Sequence, residues 1–209
     1  MKKIMLALFG LLMLNNAANA QFRGGGGGDD EDGVISQGSH FFSLGYGIPS
    51  FVRKSVNTLA TNYPTSENFR AGGFGVLHIK YEYAFVNKWT IGLSSNIDYT
   101  NIKHTANNID YTSSKTAIAL NVRVNRYLVH SERVGIYSGI GVGYSSIATG
   151  GNDNYFELQK IVNQILPIAF EATAGAKIFV TENIGLFAEV GYAKDIFQFG
   201  ATFRLPGNN

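Results

Sequence analysis

The sequence predicts an all-β fold, an eight-stranded antiparallel up-and-down transmembrane β-barrel. Three observations carry that expectation. Eight segments between His40 and Leu205 alternate apolar residues with small or polar ones at period two. Charge is scarce, with 15% Asp, Glu, Lys and Arg against about 25% in soluble domains, while glycine supplies 25 of 209 residues. The N-terminus, finally, has the form of an export signal.

Lys2 and Lys3 precede the eleven-residue apolar run 4–14, and Ala18-Asn19-Ala20 supplies a small-x-small cleavage pattern. Residues 1–20 therefore read as a signal peptide cut before Gln21. Eleven residues fall short of the ~20 a membrane-spanning helix needs. Loss of the two lysines leaves 17 − 2 = 15 basic against 15 acidic residues, a neutral mature chain. Neutrality argues against nucleic acid as the main partner. The absence of cysteine excludes disulfides, thiol catalysis, thiolate zinc sites and a lipoprotein anchor. Residues 21–38 are a lead-in, with the glycine run 24–28 followed by Asp29, Asp30, Glu31 and Asp32. This composition predicts a flexible tether. It lacks the Lys-Ser/Thr pair of a phosphate loop and the spaced ligands of a calcium loop.

The barrel is expected over residues 39–205. A first strand places Phe42, Leu44, Tyr46 and Ile48 on one face and Ser43, Gly45 and Gly47 on the other. Leu77, Ile79, Tyr81, Tyr83 and Phe85 then alternate with His78, Lys80, Glu82 and Ala84. In the third strand Ile91, Leu93, Ile97 and Tyr99 oppose Gly92, Ser94, Asn96 and Asp98. The fourth opposes Ile118, Leu120, Val122 and Val124 to Ala119, Asn121, Arg123 and Asn125. Val134, Ile136, Ile140, Val142 and Tyr144 face away from Gly135, Tyr137, Gly139, Gly141 and Gly143. Leu166 through Ile178 alternate with Glu171, Thr173, Gly175 and Lys177. Ile184, Leu186, Ala188 and Val190 oppose Gly185, Phe187, Glu189 and Gly191. The last strand sets Phe197, Phe199, Ala201, Phe203 and Leu205 against Gln198, Gly200, Thr202 and Arg204. Residues 206–209 form a short tail.

Alternation alone fits a soluble ligand-binding barrel as well as a membrane one. The polar face decides for the membrane, because it is built of Gly, Ser, Thr and Asn and lacks the dense Lys and Glu of a wet surface. Small residues suit the crowded inside of a narrow barrel, and the apolar face suits lipid. Connections alternate in length: long at 49–73, 100–114 and 148–164, short near Asn87, His130 and Thr181. Long outer loops against tight periplasmic turns are an outer-membrane pattern, which the short seventh connection at 193–195 breaks. Two aromatic girdles are expected: Tyr83, Phe85, Trp89, Tyr127, Phe179 and Phe203 at the periplasmic end, and Tyr46, Phe74, Tyr99, Tyr144, Tyr192 and Phe197 at the outer end.

With its export signal, eight alternating strands and closing strand Ile196-Phe197-Gln198-Phe199-Gly200-Ala201-Thr202-Phe203-Arg204-Leu205, the chain resembles the small OmpA/OmpX-like outer-membrane barrels, especially those of Bacteroidetes. The resemblance implies residence in the cell outer membrane and insertion by the barrel-assembly machinery. It also implies an aromatic C-terminus; here Phe203 is followed by Arg204, Leu205 and the tail, a departure from the pattern.

The inward charges are Lys80, Arg123, Lys177 and Arg204 against Glu82, Asp98, Glu171 and Glu189. Four against four in so narrow a lumen predicts a salt-bridged plug; the alternative is an ion or proton path. Catalysis is not expected. His130-Ser131-Glu132 is a tight turn, and His104, Asp110 and Ser113 lie in a loop without a recognisable motif. The histidines at 40, 78, 104 and 130 lack metal-ligand spacing, and no metal or cofactor is expected. The loop at 49–73 carries Phe51, Arg53, Lys54, Tyr63, Phe69 and Arg70, and the loop at 148–164 carries Tyr155, Phe156 and Leu158. Exposed loop aromatics suit surface recognition of a ligand or cell partner, or packing over the barrel mouth. The sequence thus points to a structural or recognition barrel, with a narrow channel or a transport- or secretion-associated barrel as the alternative.

Overall fold

The computed structural model describes residues 33–51, 53, 54, 57, 67–106, 109–151, 167–193 and 195–207; the signal peptide expected at 1–20 lies outside these. Eight strands form one closed antiparallel barrel: β1 (His40–Ile48), β2 (Glu67–Val86), β3 (Trp89–Ala106), β4 (Ile109–His130), β5 (Val134–Gly151), β6 (Ile168–Phe179), β7 (Ile184–Tyr192) and β8 (Phe197–Leu205). Each pairs with its neighbour in sequence, and β1 closes the ring on β8 in register from His40↔Leu205 to Ile48↔Phe197. Closure leaves no sheet edge along the ring, so the backbone donors of every strand there are met by the next strand.

The wall is uneven. β2 to β5 run 18 to 22 residues, while β1, β7 and β8 have nine each. The connection expected at 100–114 is therefore mostly strand, with β3 and β4 paired as far as Ala106↔Ile109. Apolar alternation on the outer face stops near Tyr99, but ladder pairing needs only backbone groups, and Ile102 and His104 keep the inward parity beyond it. The same extension absorbs parts of the connections expected at 49–73 and 148–164.

Bulges interrupt the β2–β3 pairing between Glu67 and Arg70, Gly73 and Gly75, and Ala84 and Val86. Gly75 lies in the left-handed region at φ 93°, and a Cβ there would stand 2.6 Å from Tyr46 Oη. Glycine alone meets both constraints.

The end of the barrel where β1 begins and β8 ends is stoppered by residues before β1. Val34 and Ile35 are 0% and 1% exposed and pack with Phe41, Ala84, Tyr127, Tyr137 and Phe179. The lead-in expected as a tether through Gly38 thus folds back over residues 33–38. Two apolar side chains in the mouth of a closed ring contribute about 1.5–3 kcal/mol each, and together with the segment's hydrogen bonds to the rim they offset the cost of ordering a short stretch.

Candidate functional site

The face opposite the lumen is apolar. Among the described residues, 34 large apolar or aromatic side chains are exposed, including Leu44 at 63%, Ile140 at 59% and Leu186 at 60%. Isolated soluble domains do not expose a continuous apolar belt of this extent, whereas a barrel bathed in hydrocarbon requires one. Polarity is inverted relative to a soluble protein.

Inside, the parity of each strand brings charged side chains from opposite walls together. Lys80 on β2 lies 2.7 Å from Glu189 on β7 and donates to Gln198 Oε1 at 2.7 Å. Arg123 on β4 reaches Glu189 at 3.3 Å and Glu171 at 3.6 Å, and donates to Asn125 Oδ1 from Nε and Nη2. Glu171 also accepts from Ser94 and Asn121, and Glu189 from the Tyr137 hydroxyl at 2.6 Å. Below them Lys177 pairs with Glu82 at 2.9 Å, and Glu82 accepts further bonds from Thr90 and Tyr127. The Lys177 ammonium lies 4.7 Å from the Phe41 ring centroid, 5.5 Å from Tyr137 and 5.8 Å from Tyr127. All six charged residues are at most 4% exposed. Three cations meet three carboxylates, so the charges cancel where water cannot screen them.

Glycine makes room for these long side chains. A Cβ on Gly141 would come within 2.7 Å of Glu171 Cγ, and one on Gly175 within 2.6 Å of Glu189 Cγ. Gly141 of β5 thus leaves the space into which Glu171 of β6 extends, and Gly175 of β6 the space for Glu189 of β7.

Two of the eight charges expected in this network lie elsewhere. Asp98 is fully buried, but nearer the loop end, where it bonds to Ser50 and Thr100. Arg204 is half-buried at the terminal rim, stacked on Phe179 at 5.3 Å and donating to Val34 O at 3.1 Å. Its strand ends there, so the parity that faces it inward delivers it to the mouth and not to the middle.

The aromatic girdles need a similar correction. Tyr127 and Phe179 are 1% and 2% exposed and line the lumen. Both continue the inward odd-numbered parity of Arg123 and Lys177. Phe85, Trp89 and Phe203 do face outward at that end, with Tyr83 half-buried beside His40. At the other end Phe74, Tyr99, Tyr144, Tyr192 and Phe197 are exposed, and Tyr46 is half-buried with its hydroxyl bonded to Phe74 O.

One buried group escaped the sequence. His78, completely buried, bonds through Nδ1 to Asn96 at 2.7 Å and through Nε2 to Asp195 of the β7–β8 connection. Its inward parity is legible in the sequence, but a four-residue connection that brings Asp195 into the lumen carries no sequence signature. Gly47 allows that approach, since a Cβ there would overlap Asp195 Oδ2 at 1.4 Å.

His104 and Ser113 face inward, whereas Asp110 is exposed on the other face and accepts from Thr105. His104 stacks instead on Tyr111, with ring centroids 5.2 Å apart. Among the described residues no cluster of three His, Asp or Glu has the geometry to hold a metal ion.

Neither a protein-family model nor a curated protein sequence matches the chain. Among solved structures it is similar to the outer membrane protein OprG of Pseudomonas aeruginosa, at 10% identity over 81% of this chain and 96% of that one, TM-score 0.44. It is also similar to Ail, the attachment invasion locus protein of Yersinia pestis, at 14% identity over 81% and 99%, TM-score 0.41. The Ail structure in a phospholipid bilayer nanodisc aligns at 18% identity over 81% and 100%, TM-score 0.37.

Proposed function

We propose that this chain is an exported outer-membrane barrel of the small OmpA/OmpX-like, Bacteroidetes kind, with a closed lumen and a structural or surface-recognition role. One observation carries the reading: an exposed apolar belt surrounds a lumen whose six central charges pair with one another. Buried ions held in pairs at 2.7–3.6 Å fill the space an open pore would need. In this placement the tight turns face the periplasm, and the extended ends of β2 to β5 rise beyond the outer leaflet. Those ends supply the surface for a ligand or cell partner. The eight central and rim charges Lys80, Glu82, Asp98, Arg123, Glu171, Lys177, Glu189 and Arg204 serve the barrel's integrity and not a reaction.

Two measurements test this. Heat-modifiable migration of the protein from outer-membrane fractions is expected, and a soluble, unshifted band would reject the membrane placement. Purified mature protein in a planar bilayer is expected to give no steady conductance. A stable open channel would reject the plug and favour a transport role.

A further inference from the structure

We infer that residues 33–38 are a built-in stopper, which seals the short-turn end of the lumen and whose departure alone opens a way for water to Lys177 and Glu82. The inference goes beyond the role proposed above and does not depend on which membrane holds the barrel.

The segment is docked both by side chains and by backbone. Val34 N donates to Ser131 O at 2.9 Å, in the β4–β5 turn, and Val34 O accepts from Arg204 Nη1 at 3.1 Å, on β8. Gln37 N donates to Asn87 Oδ1 at 3.0 Å, in the β2–β3 turn, and Gly38 N to Ala84 O at 2.8 Å. The segment therefore touches the rim on several sides of the ring. Val34 and Ile35 cover the aromatic floor of Phe41, Tyr127, Tyr137 and Phe179, and the rings of Phe41, Tyr127 and Tyr137 also surround the Lys177 ammonium. Water reaching Lys177 and Glu82 from this end must pass the two aliphatic side chains.

What makes this a stopper and not merely a core is its connectivity. No wall strand depends on it, because β1 is paired from His40 onward with β2 on one side and β8 on the other. Residues 33–38 can leave as a unit while the ring stays closed. Local opening of such a unit requires only its own contacts to break.

The chain has no cysteine, which allows a single-thiol test. Ala84→Cys places a thiol on a fully buried inward position beneath the stopper, and Glu132→Cys an exposed reference in the turn at the same end. Both are treated in detergent micelles with a cationic, water-soluble methanethiosulfonate, with heat-modifiable migration as the control for an intact barrel. Ala84→Cys is expected to react about 100-fold or more slowly than Glu132→Cys. Adding Val34→Ser and Ile35→Ser is expected to bring its rate to within about tenfold of the reference, with the migration shift retained. If that combination does not migrate as a barrel, Ile35→Ser alone reads the same contrast. Equal rates in the unaltered stopper, or protection that persists once the stopper is weakened, would overturn the inference.

Discussion

Arg123 is the group on which the lumen is most dependent. Replacing it with methionine keeps much of its volume but removes the cation shared by Glu171 and Glu189. The two carboxylates are not equally exposed to the loss. Glu189 keeps Lys80 at 2.7 Å and the Tyr137 hydroxyl, whereas Glu171 retains only the neutral donors Ser94 and Asn121. The six central charges become two cations against three carboxylates, with Glu171 as the stranded one. Stranding one member of a buried pair costs roughly 3–5 kcal/mol, so Arg123→Met is expected to destabilise the barrel by about that amount. Adding Glu171→Gln restores neutrality and is expected to recover about half of the loss. Glu189→Gln in the same background should recover less, because it strands Lys80. Urea-driven unfolding in phospholipid vesicles reads all four proteins, with Trp89, the one tryptophan of the chain, as the fluorescent reporter. A single-variant loss below about 1 kcal/mol would refute the reasoning. So would equal rescue by the two glutamines.

Two other predictions use the same assay. On the lipid face, Ile140→Arg is expected to cost about 2–4 kcal/mol and Leu205→Arg, at the strand's terminal end, about 0–1; equal costs would remove the depth dependence that hydrocarbon imposes. In the wall, a Cβ on Gly143 would stand 1.9 Å from Leu120 O, while one on Gly72 meets nothing within 4 Å. Gly143→Ala should therefore lose roughly 1–3 kcal/mol or block the heat-modifiable form, and Gly72→Ala should stay within about 0.5 kcal/mol of the parent.

Where sequence reading went astray, the cause was distance along the chain or the end of a period. Tyr127 and Phe179 sit near strand ends, as a girdle requires, but their parity faces them inward with Arg123 and Lys177. Ile102 and His104 show the converse, since pairing continues after the outer face stops being apolar. Val34 and Ile35 follow a glycine and acidic run and have no period at all, so nothing local distinguishes a stopper from a tether.

The period of two, with lipid-compatible residues on one side and small or charged ones on the other, sufficed to determine the strand count, the meander and the inward set Lys80, Glu82, Arg123, Glu171, Lys177 and Glu189. That information is local, because successive side chains of a strand must point to opposite faces. Only the closed ring decided which charges meet. Lys177 and Glu82 are 95 residues apart, His78 and Asp195 117, and Arg204 and Val34 170. Contacts across a lumen depend on shear, bulges and the space that glycines such as Gly47 and Gly141 leave open, and those exist once β8 has closed on β1.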